Sequence, residues 1–255
     1  MKKSTGFMEQ LKAAYRHESF QPSFWSILIN PYYIVRKGLF EGIKANSKNM
    51  RGRLLDFGCG SKPYKNLFAV DEYVGLDIER RGHDHADEEV DVLYDGLVLP
   101  FKDGCFDSVF SSEVFEHVFN PENILRELHR VMKPGAAILL TTCFAWDEHE
   151  IPWDFARYTS FGLKHLFESA GFEVIVMEKT TRYVETVFQM WNAYISQFVL
   201  PSNNYLKLLL APFVTAPVTI VGMLLSLILP DKRTFYHNNI IVARKRDDTN
   251  LENQQ

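Results

Sequence analysis

From Arg53 onward, short runs rich in β-branched and aromatic residues alternate with runs whose apolar positions recur every three or four residues. RLLDF, YVGLDI, VDVLYD, FDSVFSS, AAILLTT and FEVIVME are of the first kind, and NNIIVARK follows after a long interval. The clearest run of the second kind starts at Pro121 behind an Asn120 cap, carries Ile124, Leu125, Leu128 and Val131 on one face, and stops at Lys133-Pro134-Gly135. Another spans about Phe161 to Ala170, apolar at Leu163, Leu166 and Phe167, with Gly171 as its C-terminal cap. An earlier one opens at Asn30-Pro31 and continues through Tyr32, Val35, Leu39 and Ile43. Strands alternating with helices predict a parallel α/β sheet covered by helices.

The interval 182–232 breaks this alternation. Its first half has helical period through Val184, Val187, Phe188, Trp191, Tyr194 and Phe198. Its second half, LLLAPFVTAPVTIVGMLLSLIL at 208–229, carries no charge and meets the length of about 20 apolar residues needed to span a bilayer. A single crossing would leave NNIIVARK on the far side of the membrane from the sheet it should join. The expectation is therefore a re-entrant or surface-lying helical hairpin, broken at Pro212 and Pro217, that gives peripheral membrane contact. The alternatives are a subunit interface, as in a homodimer, or an apolar cap over the domain. The expected organisation is N-terminal helices at 1–49, a core at 50–181, the apolar insertion at 182–232, a last core strand at 233–246 and a polar tail at 247–255.

Composition narrows the partners. The 255 residues carry a net charge of −4, with no Lys/Arg block interleaved with aromatics, which argues against nucleic acid. Cys59, Cys105 and Cys143 are far apart and lack CxxC spacing, which argues against a disulfide framework and a zinc site. His83 and His85 sit in a charged run with no third ligand at regular spacing, so no metal is expected. Charges at Glu9, Lys12, Arg16 and Glu18 interrupt the N-terminal stretch, so a secretion signal is not expected either. These readings favour a cytoplasmic protein, peripheral at the inner face of the membrane.

The stretch LLDFGCGSKPYKNLF, 54 to 68, turns at Gly58-Cys59-Gly60 after a strand. A dinucleotide fingerprint requires a third glycine where Pro63 stands, and a phosphate-binding P-loop requires Gly-Lys-Ser/Thr. What remains is Asp56 just before the glycines and Asp77 closing the next strand. Glycines allow close backbone approach, and acids at adjacent strand ends accept from an amino group and ribose hydroxyls, a combination suited to a ligand without phosphates.

With LDFGCG, YVGLDI, DGLVLPFKDGCFDSVFSSEVFEHV and ILRELHRVMKPGAAILLTT in that order, residues 50 to 180 resemble the class I S-adenosylmethionine (SAM)-dependent methyltransferases of the broad small-molecule type. The resemblance implies a Rossmann-like, mostly parallel seven-stranded sheet and SAM as cofactor. It places Asp56, Gly58 and Gly60 at the methionine end, Asp77 at the ribose hydroxyls, Asp95 and Gly96 near the adenine, and Glu113 where a loop closes over the cofactor, with Cys59 and Ile78 also among the cofactor-binding residues. Lys62-Pro63 departs from the family pattern, and Pro63 is expected to begin the following helix.

Two loops beyond the strand ends hold the acceptor-side candidates. SSEVFEHV delivers Glu116 and His117, and the long CFAWDEHEIPWDFARYTS delivers His149 with Trp153, Asp154, Arg157 and Tyr158 as substrate-binding candidates. A similar HE-x-P-x-D-x-x-RYT pattern recurs in relatives that resemble methyltransferases linked to glycan or lipid-linked products. The expected reaction is O-methylation of a small-molecule or lipid- or glycan-linked acceptor. His149 is expected to take the acceptor's proton, with His117 as the alternative base and otherwise a packing or hydrogen-bonding residue at the strand end. The alternative keeps the fold without the chemistry: a SAM-binding, membrane-associated regulatory or docking protein.

Overall fold

The computed structural model describes residues 7–79 and 89–246, with side chains from Ala14 onward, so His83, His85 and the polar tail lie outside the described residues. Its helices are α1 (Phe7–Phe20), α2 (Tyr33–Asn46), α3 (Pro121–Val131), α4 (Ser160–Ser169), α5 (Tyr183–Tyr194) and α6 (Asn204–Ile228). Its strands are β1 (Arg53–Phe57), β2 (Glu72–Ile78), β3 (Val92–Tyr94), β4 (Phe106–Ser112), β5 (Met132–Cys143), β6 (Phe172–Lys179) and β7 (Asn238–Lys245). The described residues divide into two compact units. One comprises the chain up to Glu41 together with Thr180–His237, and the other Gly42–Lys179 together with the chain from Asn238. The N-terminal helices up to Glu41 and the apolar insertion thus group in one helical unit.

The sheet unit has strand order β3-β2-β1-β4-β5-β7-β6, with β7 antiparallel to both neighbours and the other pairings parallel. Central strands covered on both faces read as nearly continuous apolar runs. Leu55, Phe57, Leu76, Val109, Ile138 and Leu140 accordingly pack with Ile124, Leu125, Leu128 and Val131 of α3 and Leu163 and Phe167 of α4 in one core. Both helices begin as expected. The Asn120 side chain accepts from the backbone N–H of Asn123, and Thr159 Oγ1 accepts from that of Gly162 at 3.1 Å.

One connection differs. Pro63 begins no α-helix: between β1 and β2 there is only a 3₁₀ turn at Lys65–Leu67. Aromatic rings do the covering instead, with Phe68 4.7 Å from Phe110 and Tyr64 edge-on to the same ring at 6.2 Å.

In the helical unit, α6 runs unbroken through Pro212 and Pro217, which corrects the expected break. Each proline removes one intrahelical hydrogen bond. The face formed by Ala211, Thr215, Ala216, Thr219, Gly222 and Ser226 is nevertheless buried and keeps the helix in register. The hairpin is made by α5 and α6 together. Asn192 Nδ2 donates to the Thr215 carbonyl and to Thr219 Oγ1, while Arg182 donates to the Ser226 carbonyl. A Cβ on Gly222 would lie 2.6 Å from Phe188 Cβ, so glycine is what lets the two helices approach. Gln189 of α5 caps α2, accepting from the N–H groups of Ile34 and Val35 and donating to the Pro31 carbonyl.

Candidate functional site

A cleft of about 190 Å³ opens at the carboxyl ends of β1 to β4. Its floor is the glycine turn. Gly58 has φ +73°, and a Cβ there would lie 2.3 Å from Val114 Cγ2, so both backbone and space require glycine. The N–H groups of Gly58 and Cys59 donate to the Leu76 carbonyl, which ties the turn to β2. Asp77 stands opposite, its carboxylate held by the N–H of Gly60 at 2.8 Å and of Ile78 at 2.7 Å. Gly58, Gly60, Asp77, Ile78 and Glu113 all line the cleft.

Asp56, Cys59, Asp95 and Gly96 do not. Successive side chains of a strand point to opposite faces, and on β1 it is Phe57 that lines the cleft. Asp56 is 2% exposed and accepts from the Tyr73 hydroxyl at 2.6 Å, and burial pushes its carboxyl up to about 7. Cys59 is buried, its sulfur filling the space over Gly75. Asp95 lies in an exposed turn, where it accepts from the N–H groups of Leu97 and Val98 and those bonds lower its pKa. The preceding Tyr94 reaches the cleft in its place. Lys62 turns away into the protein: its ammonium meets Asp91 at 2.7 Å, and Asp91 in turn accepts from the Gly75 N–H.

Glu113 takes φ +56° at the cleft edge, accepting from Thr141 Oγ1 at 2.9 Å and from Asn238 Nδ2 at 2.5 Å. The β7 partner Asn238 was not legible as part of this site, because nothing in its neighbourhood resembles a motif. Glu150, with φ +50°, also lines the cleft and could have been found from the HE-x-P pattern that contains it.

The far wall joins the two acceptor-side loops. His117 lines the cleft, its Nδ1 2.8 Å from the Trp153 carbonyl, and His149 Nδ1 lies 3.0 Å from the Asp147 carbonyl. A carbonyl only accepts, so each neutral ring carries its hydrogen on Nδ1 and a lone pair on Nε2. The two rings stand edge to face with centroids 4.7 Å apart, so His149 already meets His117 with no closing movement of its loop. Behind them Glu116 is fully buried and accepts from Thr142 Oγ1 at 2.8 Å. Burial pushes its carboxyl above the ordinary range.

The remaining loop residues anchor the loop. Arg157 grips both oxygens of Asp154 at 2.5 and 2.6 Å and donates to the carbonyls of Trp146, Asp147 and Ala156. The Arg157 guanidinium holds Asp154 down to about 2. The Tyr158 hydroxyl donates to the Phe115 carbonyl at 3.3 Å, and burial pushes it up to about 12. Asp154, Arg157 and Tyr158 are therefore committed to internal bonds, while Trp153 is half-exposed beside Phe155.

No lysine or arginine is among the described residues lining the cleft, whereas Asp77, Glu113 and Glu150 are. Such a cleft suits a cationic ligand without phosphates, as the sulfonium and ammonium of SAM require. Residues 55–140, from β1 into β5, match the family described as a methyltransferase domain. This part of the chain is a methyltransferase domain. Norajmaline N-methyltransferase of Rauvolfia serpentina is 50% identical over 46 residues, which are 18% of this chain and 16% of that protein. A probable SAM-dependent methyltransferase of Mycolicibacterium smegmatis is 29% identical over 133 residues, 48% of this chain and 52% of that protein. The methyltransferase match thus spans about half the length of the second relative and far less of the first. In fold, the chain is similar to Haemonchus contortus phosphoethanolamine N-methyltransferase 2 in complex with SAM. The TM-score is 0.50 at 16% identity, covering 90% of this chain and 59% of that one.

Proposed function

We propose that the protein transfers the methyl group of SAM to a small-molecule or lipid- or glycan-linked acceptor at the His117 wall of the cleft. The observation that carries this reading is the position of His117, which lines the same cleft as Gly60 and Asp77 while its Nδ1 is fixed on the Trp153 carbonyl. Asp77 and the glycine turn bind the nucleoside end of SAM. An acceptor oxygen attacks the methyl carbon in line with the departing sulfur, and the C–S electron pair passes to sulfur, leaving S-adenosylhomocysteine. Alignment of the two reactants is worth up to about 7 to 11 kcal/mol. His117 Nε2 takes the acceptor's proton, which replaces the expected assignment to His149, because it is His117 that lines the cleft. A hydroxyl acceptor gains most from such a base, which favours O-methylation.

In the test, His117→Gln should lower kcat by about 10²- to 10⁴-fold with the acceptor while leaving the SAM Kd within about threefold. Acceptors are sought by incubating the protein with methyl-labelled SAM and with lipid and glycan-precursor extracts. A protein that binds SAM tightly yet labels no fraction would be the non-catalytic SAM-binding protein instead.

We infer also that α6 lies against a lipid surface on the cytoplasmic side. This helix is long and apolar enough to cross a membrane, at mean hydropathy 2.2, with only 28% of its most apolar window buried. Its inward face is small and polar, and its outward positions Leu209, Phe213, Leu224, Leu227 and Ile228 are exposed. Small residues and hydrogen-bonding hydroxyls between helices, with large apolar residues outside, is the packing logic of helices in lipid. Lys179 and Asn239 are paired in the sheet, so the excursion between β6 and β7 returns to where it left, as a surface-lying hairpin does. Flotation with liposomes of anionic and neutral lipid should carry the full chain upward. A soluble homodimer that ignores liposomes would make this face a subunit interface.

A further inference from the structure

We propose that Glu116, His117 and His149 hold one borderline divalent cation of the first transition row, with zinc as the reference ion. Their candidate ligand atoms all lie within 4.8 Å of one another, and tetrahedral zinc bonds of about 2.0 to 2.2 Å set ligand atoms about 3.4 Å apart, a difference that small side-chain rotations cover.

The buried carboxyl supplies the first argument. Glu116 is 0% exposed, and while Oε2 accepts from Thr142, Oε1 is buried with no hydrogen-bond partner. An oxygen left bare in the interior is costly, and a cation beside it offsets that cost. Arg157 does not serve, since its donors go to Asp154 and to three backbone carbonyls.

The histidines supply the second. Metal-bound histidines generally donate their other ring N–H to a carbonyl or carboxylate, which fixes tautomer and orientation. Both rings here have Nδ1 set on a backbone carbonyl, from Trp153 and Asp147, with the Nε2 lone pair left over. Two imidazole nitrogens and one carboxylate suit zinc, cobalt or iron(II), whereas magnesium and calcium prefer oxygen ligands. Neither loop shows the site alone: 116–117 follow β4 and 149 follows β5, and the Phe155 and Ala156 N–H groups bind the second loop to the Glu116 carbonyl.

Three protein ligands leave a coordination position for another group. This inference rests on the proposed reading of the cleft in one respect: because His117 belongs to the cleft wall, an acceptor oxygen arriving there can complete the coordination. With the ion in place, His117 Nε2 would be one of its ligands and the ion would supply the acidity of the acceptor hydroxyl, with water taking the proton, so that the base role proposed above for His117 would belong to the metal-free protein alone.

The test reads metal binding apart from turnover. Chelator-stripped full-length protein is titrated with Co²⁺, followed by visible absorption, and then with Zn²⁺. One equivalent of Co²⁺ should give a d–d band that Zn²⁺ abolishes. Glu116→Gln and His149→Ala should each weaken Co²⁺ binding at least about tenfold. His165→Ala, an exposed histidine on α4, should leave it unchanged. SAM binding by calorimetry shows that each variant keeps its cleft, and His149→Ala, on an outer loop, carries the test if Glu116→Gln does not fold. Absence of a stoichiometric band, or a band that survives His149→Ala in a SAM-binding protein, overturns the site. Co²⁺ binding without methyl transfer to any acceptor keeps the site and sinks the enzymatic reading.

Discussion

The main core of the sheet unit is packed by large apolar side chains, whereas the contact between α5 and α6 in the helical unit is packed by small and polar ones. Between the strands and helices α3 and α4, the interior is Leu, Ile, Val and Phe. Between α5 and α6 the fully buried positions include Thr186, Gln189, Asn192, Thr215, Thr219 and Ser226, while Trp191, Phe198, Phe213 and Leu227 face outward. An apolar interior stabilises a unit whose surroundings are water, because burial removes apolar surface from it. Hydrogen bonds between small side chains hold helices together where the surroundings offer nothing polar to compete. The two units are thus held together by different means, burial of large apolar side chains in one and hydrogen bonds between small side chains at the α5–α6 contact of the other.

The largest effect should come from the apolar core. Leu125→Ala removes a fully buried side chain from the sheet unit and should cost about 2 to 5 kcal/mol in urea unfolding. Leu227→Ala on the outer face of α6 should change stability without lipid by less than about 0.5 kcal/mol and instead weaken liposome flotation. Equal losses from the two variants would erase the contrast.

Next comes the buried acid of the sheet unit. Asp56 sits where burial raises its carboxyl from 3.8 to about 7, with Asp77 and Asp91 adding to the shift and Tyr73 and Lys62 opposing it. Between those two values the folded protein keeps the proton and the unfolded chain releases it, so stability falls as pH rises through the window. The span corresponds to roughly 4 kcal/mol at most. Asp56→Asn should therefore gain on the parent protein between pH 4.5 and pH 7.5. Parallel urea stability profiles would show that the carboxyl ionises freely.

In the helical unit, Gln189→Ala should cost about 1 to 3 kcal/mol by leaving the Ile34 and Val35 N–H groups and the Pro31 carbonyl without their side-chain partner. Gln189→Leu, similar in bulk, should cost as much. If leucine restores stability, packing and not hydrogen bonding holds this unit together, and the contrast with the sheet unit fails.

The smallest structural effect is expected at the cleft. Asp77→Ala should weaken SAM binding by at least about tenfold through lost charge-assisted hydrogen bonds, with little change in the unfolding midpoint. Unchanged SAM affinity by calorimetry would remove Asp77 from the site.

Periodicity and turn chemistry were enough to locate the strands, α3, α4 and the glycine turn, since each depends on side chains within a few residues of one another. Asp77 was legible for the same reason: an acid closing a strand beside a glycine turn has few places to point. Asp56 was not, because alternation dictates that it and Phe57 face opposite ways but only the packed sheet decides which of them meets the cleft. The ordered motifs pointed to the methyltransferase domain, yet the missing helix after Pro63 depended on Tyr64 and Phe68 finding Phe110 across the sheet. Composition marked 208–229 as apolar. That α6 passes through two prolines and turns its polar face inward depended on α5, whose Asn192 and Phe188 select that face. The meeting of Glu116, His117 and His149 belongs wholly to tertiary structure, because strand order places the ends of β4 and β5 side by side and no local pattern records which side chains adjacent loops will bring together.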